Sequence, residues 1–122
     1  MGIRHGMLYF NVGIPLDLSI EEIKQLFSNA PNYDSEYFED DLDSGELELE
    51  GVKITAVYSY DEPIYVLYVG NYTNCSPSYT TIKRQSDKIY KRDRDILVSF
   101  IQKNLPSLDT KDVGPLGVNY YN

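Results

Sequence analysis

Residues 45–69 read Gly-Glu-Leu-Glu-Leu-Glu-Gly-Val-Lys-Ile-Thr-Ala-Val-Tyr-Ser-Tyr-Asp-Glu-Pro-Ile-Tyr-Val-Leu-Tyr-Val, and this stretch decides the fold class. Glu46, Glu48 and Glu50 alternate with Leu47 and Leu49, the period of a half-buried strand whose wet face is a row of carboxylates. Glu50-Gly51 fits a tight hairpin turn. Val52 to Tyr60 then returns with Val52, Ile54, Ala56, Tyr58 and Tyr60 on one face, a register that sets Lys53 opposite Glu48. Asp61-Glu62-Pro63 makes the next turn. Ile64 to Val69 is apolar throughout, as expected of a strand covered on both faces, and this places it centrally in the sheet. Three consecutive strands joined by short turns are an antiparallel meander.

Outward from the meander, Met7 to Val12 reads as a first strand, with Gly13-Ile14-Pro15 as its end. Ser19 and Glu22 have the spacing of a capping box, and Leu18 and Ile23 that of a hydrophobic staple. Ile20, Ile23, Leu26, Phe27 and Ala30 fall on one helical stripe before Pro31 forbids continuation. Gly70 to Thr81 is a polar loop, longer than a minimal turn demands. A second helix starts near Ser86, buries Ile89, Ile96, Leu97, Phe100, Ile101 and Leu105, and ends before Pro106. Residues 107–122 form either a loose tail or a short edge strand. The prediction is a single α+β domain over residues 1–122. It has a mostly antiparallel sheet of four to five strands in the order strand-helix-strand-strand-strand-helix, and two helices on one face.

A chain of 122 residues is long enough to close a core without staples. Its one cysteine, Cys75, excludes an internal disulfide and a cysteine-based zinc site. No apolar run reaches the length of a membrane span, and the N-terminus lacks the apolar core of a signal peptide, so the expected address is the cytoplasm. Twelve tyrosines against four phenylalanines and no tryptophan suit half-buried sheet faces, and tyrosine also suits binding surfaces.

Charge is the feature the fold does not explain. Residues 33–50 carry nine carboxylates and no cation, in a chain of net charge -8. Like charges this close repel, so the run points to an electropositive partner. Glu46, Glu48 and Glu50 are accounted for as the wet face of a strand that discourages sheet-to-sheet association. Asp34, Glu36, Glu39, Asp40, Asp41 and Asp43 have no such account. With Tyr33, Tyr37 and Phe38 as aromatic anchors, they form a candidate partner-binding loop.

Six of the eleven basic residues lie between Lys83 and Arg94. Lys83, Arg84, Lys88 and Arg92 are therefore candidates for holding an anionic ligand. The competing reading is a solvated helix face paired with Asp87, Asp93 and Asp95. The two-ended charge also allows pairing of two copies.

Common catalytic sets lack a member. His5 is the only histidine, Cys75 has no base near it in sequence, and no phosphate-binding glycine loop is present. Asp40 to Gly45 imitates a calcium loop with Gly45 at its sixth position. Leu42 at the third position and Gly51 at the twelfth break the ligand set. No metal or cofactor is expected, and no enzyme. A net charge of -8 works against direct nucleic-acid binding. The expectation is a small acidic binding or inhibitor protein whose partner is a basic protein, such as a nuclease, a toxin or a nucleic-acid-binding complex. Immunity proteins and virus-encoded anti-defence proteins, with nucleic-acid mimics as the extreme, use the same charge physics. The alternative is a non-catalytic module with a small-molecule or nucleotide pocket between sheet and helices.

Overall fold

The computed structural model describes residues 5–75 and 85–121. The meander forms as β2 (Glu48–Leu49), β3 (Val52–Ser59) and β4 (Glu62–Cys75). Glu48 pairs with Lys53 across the first hairpin. Glu50 and Gly51 have φ of 55° and 82°, the two positive values a type I′ turn demands. Strand β2 is shorter than the alternation predicts, because the Glu46 N–H still donates to the Asp41 carbonyl at 3.1 Å and holds the chain in the preceding turn. The alternation itself holds: Leu47 is buried, Leu49 half-buried, and Glu46, Glu48 and Glu50 are exposed.

The second hairpin turns one residue earlier than predicted. Ser59 pairs with Glu62, so Tyr60 and Asp61 are its central residues. Tyr60 has φ of 59°. A positive φ at the first central position alone is the type II′ pattern, where glycine is usual. Pro63 sits inside β4 opposite Tyr58, on a stretch that β1 (His5–Leu16) does not reach, since its pairing with β4 stops at Leu16 opposite Tyr65. A proline can occupy a strand position whose missing N–H faces no partner.

Two expected breaks are not breaks. Strand β1 continues through Gly13-Ile14-Pro15 to Leu16. Its pairing with β5 (Gly114–Tyr121) ends at Gly13 opposite Gly114, so Pro15 has a hydrogen-bonding neighbour on one side only. Strand β4 likewise absorbs residues 70–75 of the expected loop, and residues 76–81 of that loop lie outside the described residues. Gly70 permits this. With φ of 82° it makes a bulge, since β4 advances from Val69 to Tyr72 while β1 goes back only from Val12 to Phe10. A second irregularity lies between Phe10 and Gly13 against β5. It turns Leu8 and Phe10 to one face of the sheet and Val12, Ile14 and Leu16 to the other.

The strand order is β2-β3-β4-β1-β5, antiparallel except where β5 also meets β3 in parallel, Tyr121 beside Ser59. The Tyr60 N–H donates to the Tyr121 carbonyl at 2.8 Å and closes that seam. The C-terminal segment is therefore a strand at the end of the order whose last described residue, Tyr121, is paired on both sides.

The helices are α1 (Ile20–Leu26), α2 (Phe38–Ser44) and α3 (Asp87–Asn104), with a short 3-10 turn at Thr110–Asp112 before β5. Ser19 and Glu22 form the predicted capping box, with both bonds at 3.2 Å. Ser86 caps α3 by accepting from the Ile89 N–H at 3.3 Å. Three helices cover one face of the sheet instead of two. Ile23 and Phe27 from α1 and its end, Phe38 and Leu42 from α2, and Leu97, Phe100 and Ile101 from α3 join Val12, Ile14, Ile54 and Leu67 in one core. Phe10, Val57, Val66, Tyr68 and Val118 form a second, sheet-only cluster behind it. On α3 the predicted stripe is right at its C-terminal half. Ile89 is exposed, and Asp93 is buried in its place at 3 % exposure.

Candidate functional site

The acidic run is a helix where a loop is predicted. Phe38 and Leu42, four residues apart, put both side chains on one face, and each is 2 % exposed. Seven residues are too few for a helix to persist alone, so this pair of core contacts holds α2. Glu39, Asp40 and Asp41 in the first turn lie at the helix end that favours negative charge. Gly45 ends the helix with φ of 72°, and Asp34 shapes the approach by accepting from the Glu36 N–H at 3.0 Å. The readable signal was the Phe38–Leu42 spacing, masked by carboxylates on every side.

Fixing α2 sorts the candidate residues. Asp34, Glu36, Glu39, Asp40 and Asp43 are exposed, and Asp41 is half-buried. Tyr37 is 53 % exposed and free to meet a partner. Phe38 belongs to the core, and Tyr33 is half-buried with its ring 6.0 Å from that of Phe38. Two of the three expected aromatic anchors thus pack inward.

Helix α1 contributes to the same surface. A cleft of about 280 Å³ between α1 and α2 is lined by Glu21, Glu36, Glu39 and Asp40 and by one cation, Lys24. Glu21 was invisible as a member of this group because its place is set by the packing of α1 beside α2. On the other flank the Tyr58 hydroxyl donates to Asp43 Oδ1 at 2.8 Å. That bond, with burial and the Asp43 charge, pushes the Tyr58 hydroxyl up to about 12. Tyr65 is also raised, first by burial and then by the charges of Asp43, Glu39 and Glu21. Both hydroxyls therefore hold their protons to a higher pH than an ordinary tyrosine, and that of Tyr58 donates to α2.

The face is predominantly negative, four carboxylates to one lysine in its cleft. Among the described residues the ion pairs are Arg92–Asp93 at 3.2 Å, Lys103–Glu50 at 2.6 Å and Lys111–Asp109 at 3.4 Å. None of them reaches a carboxylate of α2 or of the segment leading into it.

The basic candidates are dispersed. Lys83 and Arg84 lie outside the described residues. Lys88 is exposed on α3, and Arg92 is exposed and paired with Asp93, which also accepts from Gln85 Nε2 at 3.2 Å. Arg94 is structural: it donates to the carbonyls of Val113 at 3.1 Å and Thr110 at 3.3 Å, tying α3 to the approach of β5. Arg92 and Lys103, with the carboxylates of Glu50 and Asp95, line a groove of about 500 Å³ between α3 and the β2–β3 turn that also holds Ile96 and Phe100.

Among the described residues no three of histidine, cysteine, aspartate and glutamate converge as a metal site, and no helix is long and apolar enough to cross a membrane. Compared with family models, curated proteins and solved structures, the chain matches none significantly.

Proposed function

We propose that this chain is a small acidic binding protein of the inhibitor type, acting in the cytoplasm without chemistry of its own. Its α2 face engages a basic surface on a partner protein, such as a catalytic or nucleic-acid-binding site. One observation carries the reading: Glu39 and Asp40, on a helix locked by Phe38 and Leu42, are exposed together with Glu36 in the turn before it, and no described cation lies within ion-pair distance of them. A predominantly acidic surface held by core contacts loses little conformational entropy on binding and steers a cationic partner from a distance. Tyr37 offers the apolar contact that charge alone lacks. Immunity proteins and viral anti-defence proteins neutralise their targets with the same physics, which is the ground for placing this chain in that functional class.

The test is capture of partners from cells that encode the chain. It compares the wild type with a variant carrying Glu36→Gln, Glu39→Gln and Asp40→Asn. A specific partner should be held at ~50 mM salt, released by ~0.5 M as screening shortens, and lost with the neutral variant. A partner held equally by both proteins rules out the α2 face.

A second reading, a small-molecule or nucleotide module, rests on the groove that holds Ile96 and Phe100, where Arg92 and Lys103 would exchange their pairs with Asp93 and Glu50 for an anionic ligand. A thermal-shift screen with nucleotides and organic phosphates tests it, because a ligand of the native state alone raises the melting temperature.

A further inference from the structure

Outside the two core clusters, three aromatic rings stand in a row across three strand ends. His5 on β1 stacks on Tyr121 of β5 with centroids 6.2 Å apart and planes 20° apart. Tyr121 in turn stacks on Tyr60, at 5.9 Å and 14°. Neither cluster of the core includes any of the three. Tyr60 is 63 % exposed, more than any other large hydrophobic side chain among the described residues.

Its backbone adds a second observation. Tyr60 holds φ of 59° at a turn position where glycine is the ordinary choice. The closure of β3 on β5 needs only its N–H, which glycine would supply equally. Beyond its stack on Tyr121 the ring is turned to solvent, and the turn itself would take glycine without strain; such outliers cluster at binding sites.

Charge decides what the rings receive. Asp61 and Glu62 follow Tyr60 in the same turn, both exposed, and no described cation pairs with either. We propose that the His5–Tyr121–Tyr60 stack and the carboxylates of Asp61 and Glu62 form a second docking site, which takes arginine side chains of a basic polypeptide. A guanidinium lies flat on the outer face of the Tyr60 ring and donates to the adjacent carboxylates, a combination open to the planar arginine fork and poorly met by a lysine ammonium. A nucleobase would stack on the same ring, but its phosphates would face Asp61, Glu62 and a net charge of -8. The site deepens the reading of the partner as a basic protein and uses residues distinct from those of α2.

The experiment is calorimetric titration of the full chain with hexa-arginine, hexa-lysine and an oligothymidylate of equal length. Hexa-arginine should bind several-fold tighter than hexa-lysine. Tyr60→Gly should weaken hexa-arginine by roughly 3- to 30-fold, while Tyr60→Phe keeps the affinity within about 2-fold. Where Tyr60→Gly does not fold by circular dichroism, Tyr60→Asn, which tolerates a positive φ, replaces it. Unchanged hexa-arginine affinity in the folded variant overturns the proposal. Equal affinity for the two peptides, or a preference for the oligonucleotide, does so too. The neutral α2 variant separates the two surfaces. If it alone loses hexa-arginine, the stack is refuted and the α2 face stands. If only the Tyr60 variant does, the stack stands and the α2 face is not what reads arginine.

Discussion

Tyr37 and Phe38 are adjacent aromatic residues in an acidic run, and truncating each to alanine should have opposite consequences. Phe38 is 2 % exposed and touches the core that α1, α2 and α3 share with the sheet, so Phe38→Ala removes a full buried ring and leaves a cavity. Changes of that kind cost about 3–5 kcal/mol. A domain of 122 residues is stable by about 6–18 kcal/mol on the usual per-residue scale. The variant should therefore remain folded, with a melting temperature roughly 10–20 °C lower. Tyr37, at 53 % exposure, should change stability by no more than about 0.5 kcal/mol. Urea denaturation of both variants reads this directly, with the slope m unchanged where only the native contact is lost. Hydrogen exchange localises it: the amides of Asp41 and Gly45, bonded within α2 to Tyr37 and Leu42, should open sooner in Phe38→Ala. Equal losses in the two variants, or a Tyr37→Ala loss above 2 kcal/mol, would falsify the inward and outward assignment on which the binding face depends.

Two further outcomes follow from single groups. Tyr68 is 3 % exposed, and burial pushes its hydroxyl up to about 12 from an ordinary 10, with Tyr72 and Glu48 adding to the shift. Below pH 10 the hydroxyl is neutral in both folded and unfolded chains. Between pH 10 and 12 only the unfolded chain loses the proton, so stability falls by about 2–3 kcal/mol over that window. Tyr68→Phe should remove that part of the alkaline slope, read from urea midpoints at pH 9 and pH 12. An identical slope in the variant would show that the hydroxyl is not desolvated in the fold. Gly45→Ala places a side chain at φ of 72°, and its Cβ would stand 3.0 Å from the Tyr68 hydroxyl. A loss of about 1–2 kcal/mol is expected, and a loss below 0.5 would mean that α2 ends without the left-handed cap.

The sheet was legible because its signals are local. Alternation at Glu46–Glu50, the Glu50-Gly51 turn and the apolar run at Ile64–Val69 each depend on neighbours in sequence, and the Glu48–Lys53 register followed from them. The capping box at Ser19 is likewise self-contained. What stayed hidden depends on partners distant in the chain. Pro15 ends a strand only where both neighbours need its N–H, and β5 stops short of it. Gly70 reads as a loop signal until β1 is seen to pair across it. The burial of Asp93 requires Gln85 and the Gly70 bulge, where a Cβ would stand 3.3 Å from its carboxylate. At the candidate face, the sequence located the run of exposed carboxylates at Asp34, Glu36, Glu39, Asp40 and Asp43. Glu21, Tyr58 and Tyr65 were not legible, because they come from α1, β3 and β4 and meet α2 only after folding.

Helix α2 also shows that its carboxylates are not what holds it. Burying Phe38 and Leu42 contributes about 1.5–3 kcal/mol each, whereas a like-charge pair such as Glu39 and Asp43 at i, i+4 costs only about 0.2–0.5. The helix dipole favours Glu39 and Asp40 at the N-terminus by a similar few tenths when exposed, and disfavours Asp43 near the C-terminus. There the Tyr58 hydroxyl offsets the cost by donating to Asp43. These electrostatic terms nearly cancel, and the apolar pair dominates the sum. Neutralising Glu39→Gln together with Asp40→Asn should accordingly shift stability by no more than about 0.5 kcal/mol in either direction, measured by urea denaturation at low salt. The same substitutions belong to the variant that should lose the basic partner. Stability retained while binding is lost assigns the carboxylates to recognition. A fall of more than 1 kcal/mol would make them part of the scaffold and remove the reason to read this face as a binding surface.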